Sequence, residues 1–359
     1  MTQNTTTASR MTIGIDLGDR YSHFAVLDHA GELVEEGRLR TTPAAFKLRF
    51  TSCTAARVAI EVGTSSAWVN ELLEDAGHEV LVANPRKLRF IFQGDNKNDR
   101  VDAEQLARVA RLDPRLLSPI QHRTRESRVD LSVLRARDGL VRARTRLVNQ
   151  VRGLVKPFGT RVAGCSTSTF ATRVARAIPK ELRPAIVPLL RVVQTLTDKI
   201  RRMDKRLESM AAKKYPEVAA LRQVNGVGIV TATTFVLTIE DPRRFKSSRS
   251  VGAYLGLRPK RRQSGNADPE LRISKAGDRD LRMLLVQSAH YILGPFGKDS
   301  DLRRTGLALA TRGNKTAKRK AVIAVARKLA VLLHRLWVSG EEYEPLRNAN
   351  RREPEAHTA

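Results

Sequence analysis

Thr12-Ile13-Gly14-Ile15-Asp16 decides how the first third of this 359-residue chain is read. It is a short apolar run that ends on an acid, with the turn signal Gly18-Asp19 just beyond. A second run, Val58-Ala59-Ile60, ends the same way on Glu61. Two further acids stand in Lys97-Asn98-Asp99-Arg100-Val101-Asp102-Ala103, just before the helical stretch Glu104-Gln105-Leu106-Ala107. Their i, i+3 spacing puts Asp99 and Asp102 on one helix face. Carboxylates gathered from two strand ends and one helix repel each other unless a divalent cation neutralises them. Two Mg²⁺ ions roughly 4 Å apart are the standard clamp for cutting phosphodiesters.

Around these residues the pattern alternates between strands and helices. Residues 12–18, 21–28 and 32–40 read as strands, 43–52 as a helix, 57–62 as a strand, 65–76 as a helix and 78–83 as a strand stopped by Asn84-Pro85. A helix then starts near Asp99 and ends before Asp113-Pro114. The order β-β-β-α-β-α-β-α is that of a ribonuclease-H-like fold, in which the ends of the first and fourth strands and the last helix converge.

Charge divides the chain. The net charge is +28, yet residues 11–105 sum to −4 and residues 106–359 to +31. A field of the latter size implies a polyanionic partner, with nucleic acid the default. Cys53 and Cys165 are too few for a disulfide framework or a zinc site, which fits a reducing cytoplasm. The polar start, Thr2-Gln3-Asn4-Thr5-Thr6-Thr7, lacks the apolar core of a signal peptide. Ala321 to Trp337 is broken by Arg327, Lys328 and Arg335, so no membrane span is expected.

Residues 121–160 hold ten Lys/Arg, nine of them Arg, against three acids. Leu134, Val141, Val148 and Val155 recur every seven residues on this helix, from about 122 to 156. Arg142, Arg144, Arg146 and Arg152 surround that stripe and are expected to meet phosphate. Residues 157–181, rich in Gly, Ser and Thr, read as a linker. Leu189, Val193, Leu196, Ile200, Met203, Leu207 and Met210 then follow a/d heptad spacing just after Pro188. That stripe serves either self-association or a hairpin with the preceding basic helix. Gly226-Val227-Gly228 between apolar helical segments resembles a helix-hairpin-helix, whose glycines let backbone N–H groups approach phosphate. Arg258, Arg261, Arg262 and Lys275 flank a short Gln263-Ser264-Gly265 element, and residues 303–328 hold nine Lys/Arg and no acid.

The segments Gly14-Ile15-Asp16-Leu17-Gly18, Ala59-Ile60-Glu61-Val62-Gly63-Thr64 and Lys97 to Ala103 resemble the D-E-D-D motifs of a family of bacterial insertion-sequence transposases. The family also contains the pilin-gene inverting recombinases. Gly256-Leu257-Arg258-Pro259, Gln263-Ser264-Gly265 and Arg272 to Asp278 are similar to its second domain. The resemblance spans about residues 12–335. It implies a RuvC-like catalytic domain over 11–113, a basic helix and coiled-coil connector over 120–215 and a mainly helical transposase domain over 216–338. The polar, Pro-containing tail over 339–359 reads as disordered from its composition. The resemblance further implies a DNA recombinase acting on donor and target DNA, directed by a structured bridge RNA and working as dimers that pair into tetramers. The acids Asp16, Glu61, Asp99 and Asp102 of one protomer would hold Mg²⁺, and Ser264 of another would supply the nucleophile. Many relatives carry Ser-Ser-Gly where this chain has Gln263-Ser264-Gly265. Ser247, Ser248, Ser250 and Ser274 remain rivals.

The chemistry supports the same assignment. Hydrolysis discards a phosphodiester bond, whereas attack by serine conserves it as a phosphoserine ester that a 3′-hydroxyl can reverse. A RuvC-like Holliday-junction nuclease would explain the acids without the basic half. A non-catalytic nucleic-acid-binding protein would explain the charge without the acids. Gly14-Ile15-Asp16-Leu17-Gly18 also opens the first phosphate loop of actin-like ATPases, but the second Asp-x-Gly-x-Gly loop they need is missing.

Overall fold

Both acid-ended runs form strands that lie side by side. The strands are β1 (Thr12–Asp16), β2 (Tyr21–Leu27), β3 (Leu33–Arg40), β4 (Arg57–Glu61) and β5 (Glu79–Ala83). They form one sheet in the order β3-β2-β1-β4-β5. β1, β2 and β3 run antiparallel in sequence, and β4 and β5 lie parallel to β1. The computed structural model describes residues 11–86, 98–265, 268–269, 271–313 and 315–350. The chain divides into two compact units between His122 and Arg123.

In the first unit the strand period sorts residues between two faces. Ile13, Ile15, Val58 and Ile60 are buried with Phe46 and Phe50 of α1 (Pro43–Phe50) and with Val69 and Leu73 of α2 (Ser66–Asp75). The opposite face is a row of small residues, because Gly14 pairs with Ala25 on one side and Ala59 on the other. The helix α3 (Asp99–Leu112) lies on that row. A Cβ on Gly14 would stand 2.0 Å from the Ala103 carbonyl oxygen and 2.5 Å from the Ala107 nitrogen. Glycine at 14 is therefore what allows this close approach of helix to strand. Asn98 caps the helix by accepting from the Arg100 N–H at 3.1 Å.

The second unit is helical. α4 (Arg125–Val155) and α6 (Arg183–Lys214) pair along their lengths, so the heptad helix forms an intramolecular hairpin with the basic helix. The buried stripe on α6 is Ile186, Leu190, Val193, Thr197, Ile200, Leu207 and Ala211. Leu189, Leu196, Met203 and Met210 of the expected heptad fall on its flank, half-buried. The helix also starts before Pro188, which sits in its second turn, while Pro184 takes the first. Asp130 clamps the far end of the hairpin, accepting from Lys214 Nζ at 3.0 Å and Tyr215 Oη at 2.7 Å.

Residues 157–181 are not a bare linker. They contain α5 (Phe170–Ala177), whose Phe170 and Val174 pack with Val148, Val151, Ile186 and Leu190. The start of the tail is also held in place. Tyr343 N–H donates to Gln223 Oε1 at 2.9 Å, and the Pro345 carbonyl accepts from Asp301 N–H at 2.8 Å. Residues 351–359 lie outside the described residues.

The second unit also holds α7 (Glu217–Leu221), α8 (Ile229–Ile239), α9 (Arg249–Tyr254), α10 (Arg279–Leu293), α11 (Asp301–Ala310) and α12 (Lys315–Ser339). They share a core built on Phe235, Val251, Leu285, Val325, Leu329 and Leu333. No helix among the described residues is long and apolar enough to cross a membrane.

Candidate active site and nucleic-acid interface

Strand parity sends Asp16 and Glu61 to the same face as Gly14 and Ala59, toward α3. Ile15 faces Ile60 in the parallel ladder. Continuing that register sets Asp16 beside Glu61, on strands about 4.8 Å apart. The packing of α3 on β1 brings Asp99 and Asp102, both in its first turn, over the same end of the sheet. Unpaired N–H groups at a helix start favour negative charge there.

His23 joins this group and was missed in the sequence. It pairs with Asp16 across β1 and β2, and its Nδ1 lies 3.8 Å from Asp99 Oδ2. The hairpin turn after Gly18 was the available signal, since folding the chain there sets residue 23 opposite 16.

Four carboxylates are hard oxygen donors of the kind that hold Mg²⁺ or a similar cation. In donor type and backbone position they fit such an ion. Their side chains are not drawn to one point. Asp99 is 64% exposed and leans to His23, and no three His, Cys, Asp or Glu side chains among the described residues form a metal-ready cluster.

In the second unit, Ser264 lies on an exposed arm. The segments around Pro259 and Ile273 form an antiparallel bridge, with Lys260 N–H donating to the Arg272 carbonyl at 3.0 Å and Ser274 N–H to the Arg258 carbonyl at 2.9 Å. Residues 258–265 are exposed throughout, including Arg258, Arg261, Arg262 and Ser264. Gly265, at φ +53°, has open space around it.

The base of the arm is tightly built. Gly256 and Gly277 both have positive φ, and a Cβ on either would stand 2.2 Å from the Ala276 oxygen or 2.0 Å from the Tyr254 oxygen. Arg282 Nη1 donates to the Ala276 carbonyl at 2.7 Å and the Leu255 carbonyl at 3.0 Å. Asp278 caps α10 and its other oxygen meets Arg123 at 3.1 Å. Lys275 is exposed, with a left-handed backbone at φ 55°.

Of the rival serines, Ser248 and Ser274 are half-buried, while Ser247 and Ser250 are exposed. His334, 2% exposed, bonds the Pro242 carbonyl through Nε2 at 2.9 Å, so Nε2 carries the proton and Nδ1 accepts from Ser248 Oγ at 3.0 Å. Ser274 Oγ accepts from Ala276 N–H at 3.3 Å, and Ser247 lies 3.3 Å from Ser250.

The arginines of α4 differ among themselves. Arg142 and Arg146 are exposed, Arg142 pairing with Asp138 on its own helix. Arg144 is half-buried. Burial, together with neighbouring Arg137 and Arg201, holds its guanidinium below the usual arginine range, while Asp204 opposes them. Arg152 lies over the Phe170 ring at 5.6 Å. Gly226 takes a positive φ of 88°, and Gly228 is the cap residue of α8.

A family model for a DEDD transposase matches residues 13–158, and one described as the transposase IS116/IS110/IS902 family matches residues 218–299. The chain belongs to the IS116/IS110/IS902 transposase family. It is 29% identical to a family 20 transposase of Pseudomonas aeruginosa, over 93% of this chain and 98% of that one. It is 26% identical to the transposase for insertion sequence element IS1111A of Coxiella burnetii, over 92% and 90%. It is 29% identical to the transposase for IS1328 of Yersinia enterocolitica, over 77% and 82%. As an insertion-sequence transposase the protein acts on DNA. Its DEDD transposase domain points to dependence on a divalent metal.

Proposed function

We propose that this transposase cuts and rejoins DNA through a covalent phosphoserine intermediate on Ser264. The first unit serves as a ribonuclease-H-like centre in which Asp16, Glu61, Asp99 and Asp102 hold Mg²⁺. The observation that carries the reading is the convergence of Asp16 and Glu61 on one sheet face beneath the acid-bearing first turn of α3. The bound ion would supply neutralisation of the phosphate oxygens.

In the proposed step, Ser264 Oγ attacks phosphorus. A P–Oγ bond forms and the P–O3′ bond breaks. The hydroxyl proton leaves to solvent and the departing 3′-oxygen takes one up. Rejoining is the reverse, with a new 3′-hydroxyl displacing serine, so no external energy source is required. Arg258, Arg261 and Arg262 draw the scissile phosphate toward the exposed tip, and Gly265 leaves room for it. Dimers pairing into tetramers would let the serine of one protomer reach the acids of another. The charge of +31 on residues 106–359 supports binding of a guiding bridge RNA as well as DNA.

The test is a denatured cleavage reaction. Wild-type protein with Mg²⁺ should leave a DNA end joined to Ser264. Ser264→Ala should form no adduct, and Asp16→Ala, Glu61→Ala or Asp102→Ala should bind DNA without cutting it. Cleavage intact in Ser264→Ala with no adduct would return the protein to the metal-nuclease class, and full cleavage in EDTA would remove the metal.

A further inference from the structure

Neither the acids nor the serine arm accounts for an open cleft of about 640 Å³ between the Gly226 turn and α10. α8 begins in this cleft with no side-chain cap, since Gly228 holds the cap position. Its first backbone N–H groups therefore point at the opening without an acceptor of their own. Two hydroxyl groups in the wall make the same demand. Thr231 and Ser288 are only 7% and 4% exposed, both line the cleft, and neither hydroxyl has a partner among the described residues.

The rest of the wall identifies the chemistry. No carboxylate lines it among the described residues. Lys298 does, with its backbone N–H held by Asn225 Oδ1 at 3.3 Å and its ammonium in no ion pair among the described residues. Arg222 also lines it, paired with Glu208 at 2.8 Å, so the donors left over are the α8 N–H groups, the two hydroxyls and Lys298, and together they select an anion. Beside them stands an aromatic surface. Tyr291 is 45% exposed in the cleft wall, and Phe296, two residues before Lys298, is 76% exposed. Gly226 keeps the Tyr291 ring open, because a Cβ there would lie 3.1 Å from Tyr291 Cδ1.

We propose that this cleft holds one phosphodiester of an unpaired nucleic-acid strand, its phosphate on the α8 N-terminus and Thr231 and its adjoining base against Tyr291. An unpaired strand is specified because a base inside a duplex stack has no free face to offer an aromatic ring. Lys298 supplies charge without reading sequence. The inference rests on the nucleic-acid reading above and is independent of the serine chemistry.

The experiment uses the full-length protein in EDTA, where no strand is cut, so a missing serine adduct leaves its outcome standing. Oligothymidylate and oligouridylate strands carrying 5-iodouracil are bound, irradiated and mapped by mass spectrometry. A cross-link on Tyr291 supports the proposal, and the strand that gives it, DNA or RNA, identifies the source. Tyr291→Leu should weaken single-strand binding roughly 5- to 100-fold and leave blunt duplex binding unchanged. Thr231→Val, which keeps the shape and removes the hydroxyl, should weaken it as well. Lys298→Gln should lower the salt slope by about 0.7. Each variant should keep the wild-type melting temperature. Cross-links that avoid Tyr291, or a duplex affinity that falls with the single-strand affinity in Tyr291→Leu, would overturn it.

Discussion

The acids and the serine of this transposase are presented in opposite ways. Asp16, Glu61, Asp99 and Asp102 stand on two adjacent central strands and a helix seated on them, where Gly14, Ala59, Ala103 and Ala107 meet closely. Ser264 stands on an exposed arm whose base is built on Gly256, Gly277 and Arg282 and whose two sides are joined at Pro259 and Ile273. A metal-binding group has to hold its ligands within a fraction of an ångström, which rigid elements do best. A nucleophile that works in another protomer's site needs reach. On the proposed reading, the contrast assigns precision to one unit and reach to the other.

Gly14→Val should break the first half of that contrast. The new side chain meets backbone atoms of α3 at 2.0 and 2.5 Å, which cannot yield without moving the helix. We expect cleavage to be abolished and unfolding by urea to cost about 3 kcal/mol less, with nucleic-acid binding retained. Cleavage at the wild-type rate would show that α3 need not sit where it does.

Arg282→Gln should loosen the base of the arm while sparing its tip. Losing a charged donor to two carbonyls predicts a fall of about 2 kcal/mol in stability. The yield of serine adduct should fall about 10-fold or more, as misplacement of a reacting group implies. Unchanged adduct yield would mean that the arm needs no such anchor.

Tyr215 sharpens the comparison by testing the hairpin clamp, remote from the arm. Burial and then its bond to Asp130 push the Tyr215 hydroxyl well above its ordinary value of 10. A folded value above the unfolded one contributes stability that is complete below about pH 10 and is lost as pH rises beyond it. Alkaline melting should therefore lower wild-type stability above pH 10, and Tyr215→Phe should lack that component. Near neutral pH the variant should lose about 1.5 kcal/mol.

The smallest effect is expected in the core of α8. Thr233 and Thr238 are fully buried and their hydroxyl oxygens have no partner among the described residues. Valine at either position should be neutral or stabilising by up to about 1 kcal/mol, read as a rise in melting temperature. A loss would reveal a polar partner for the hydroxyl.

The sheet unit was legible because β1, β2, β4 and β5 are short, largely apolar runs and the strands are bounded by turn signals, and their observed ends fall within two residues of the expected ones. The acids were legible for the same reason, since each marks the end of a run or the first turn of a helix. His23 was not, because its role depends on cross-strand pairing. The α6 stripe was read one flank away from the true one because Leu196 and Met203 are apolar while Thr197, which is buried, is not. Residues 157–181 misled by composition. Phe170, Val174 and Ile178, spaced by four, bury themselves on the hairpin despite the surrounding Ser and Thr.

The closed base of the serine arm has a consequence for how the chain tolerates interruption. Lys260 and Arg272 are joined by a hydrogen bond, so the eleven residues between them leave and return at nearly the same point. The core beneath, built on Val251, Leu281 and Leu285, takes no side chain from the described residues of that excursion. A protease that nicks after Arg261 or Arg262 would thus leave two fragments still folded around one core. The same geometry makes the tip a place where peptide can be inserted or exchanged while the scaffold stays intact.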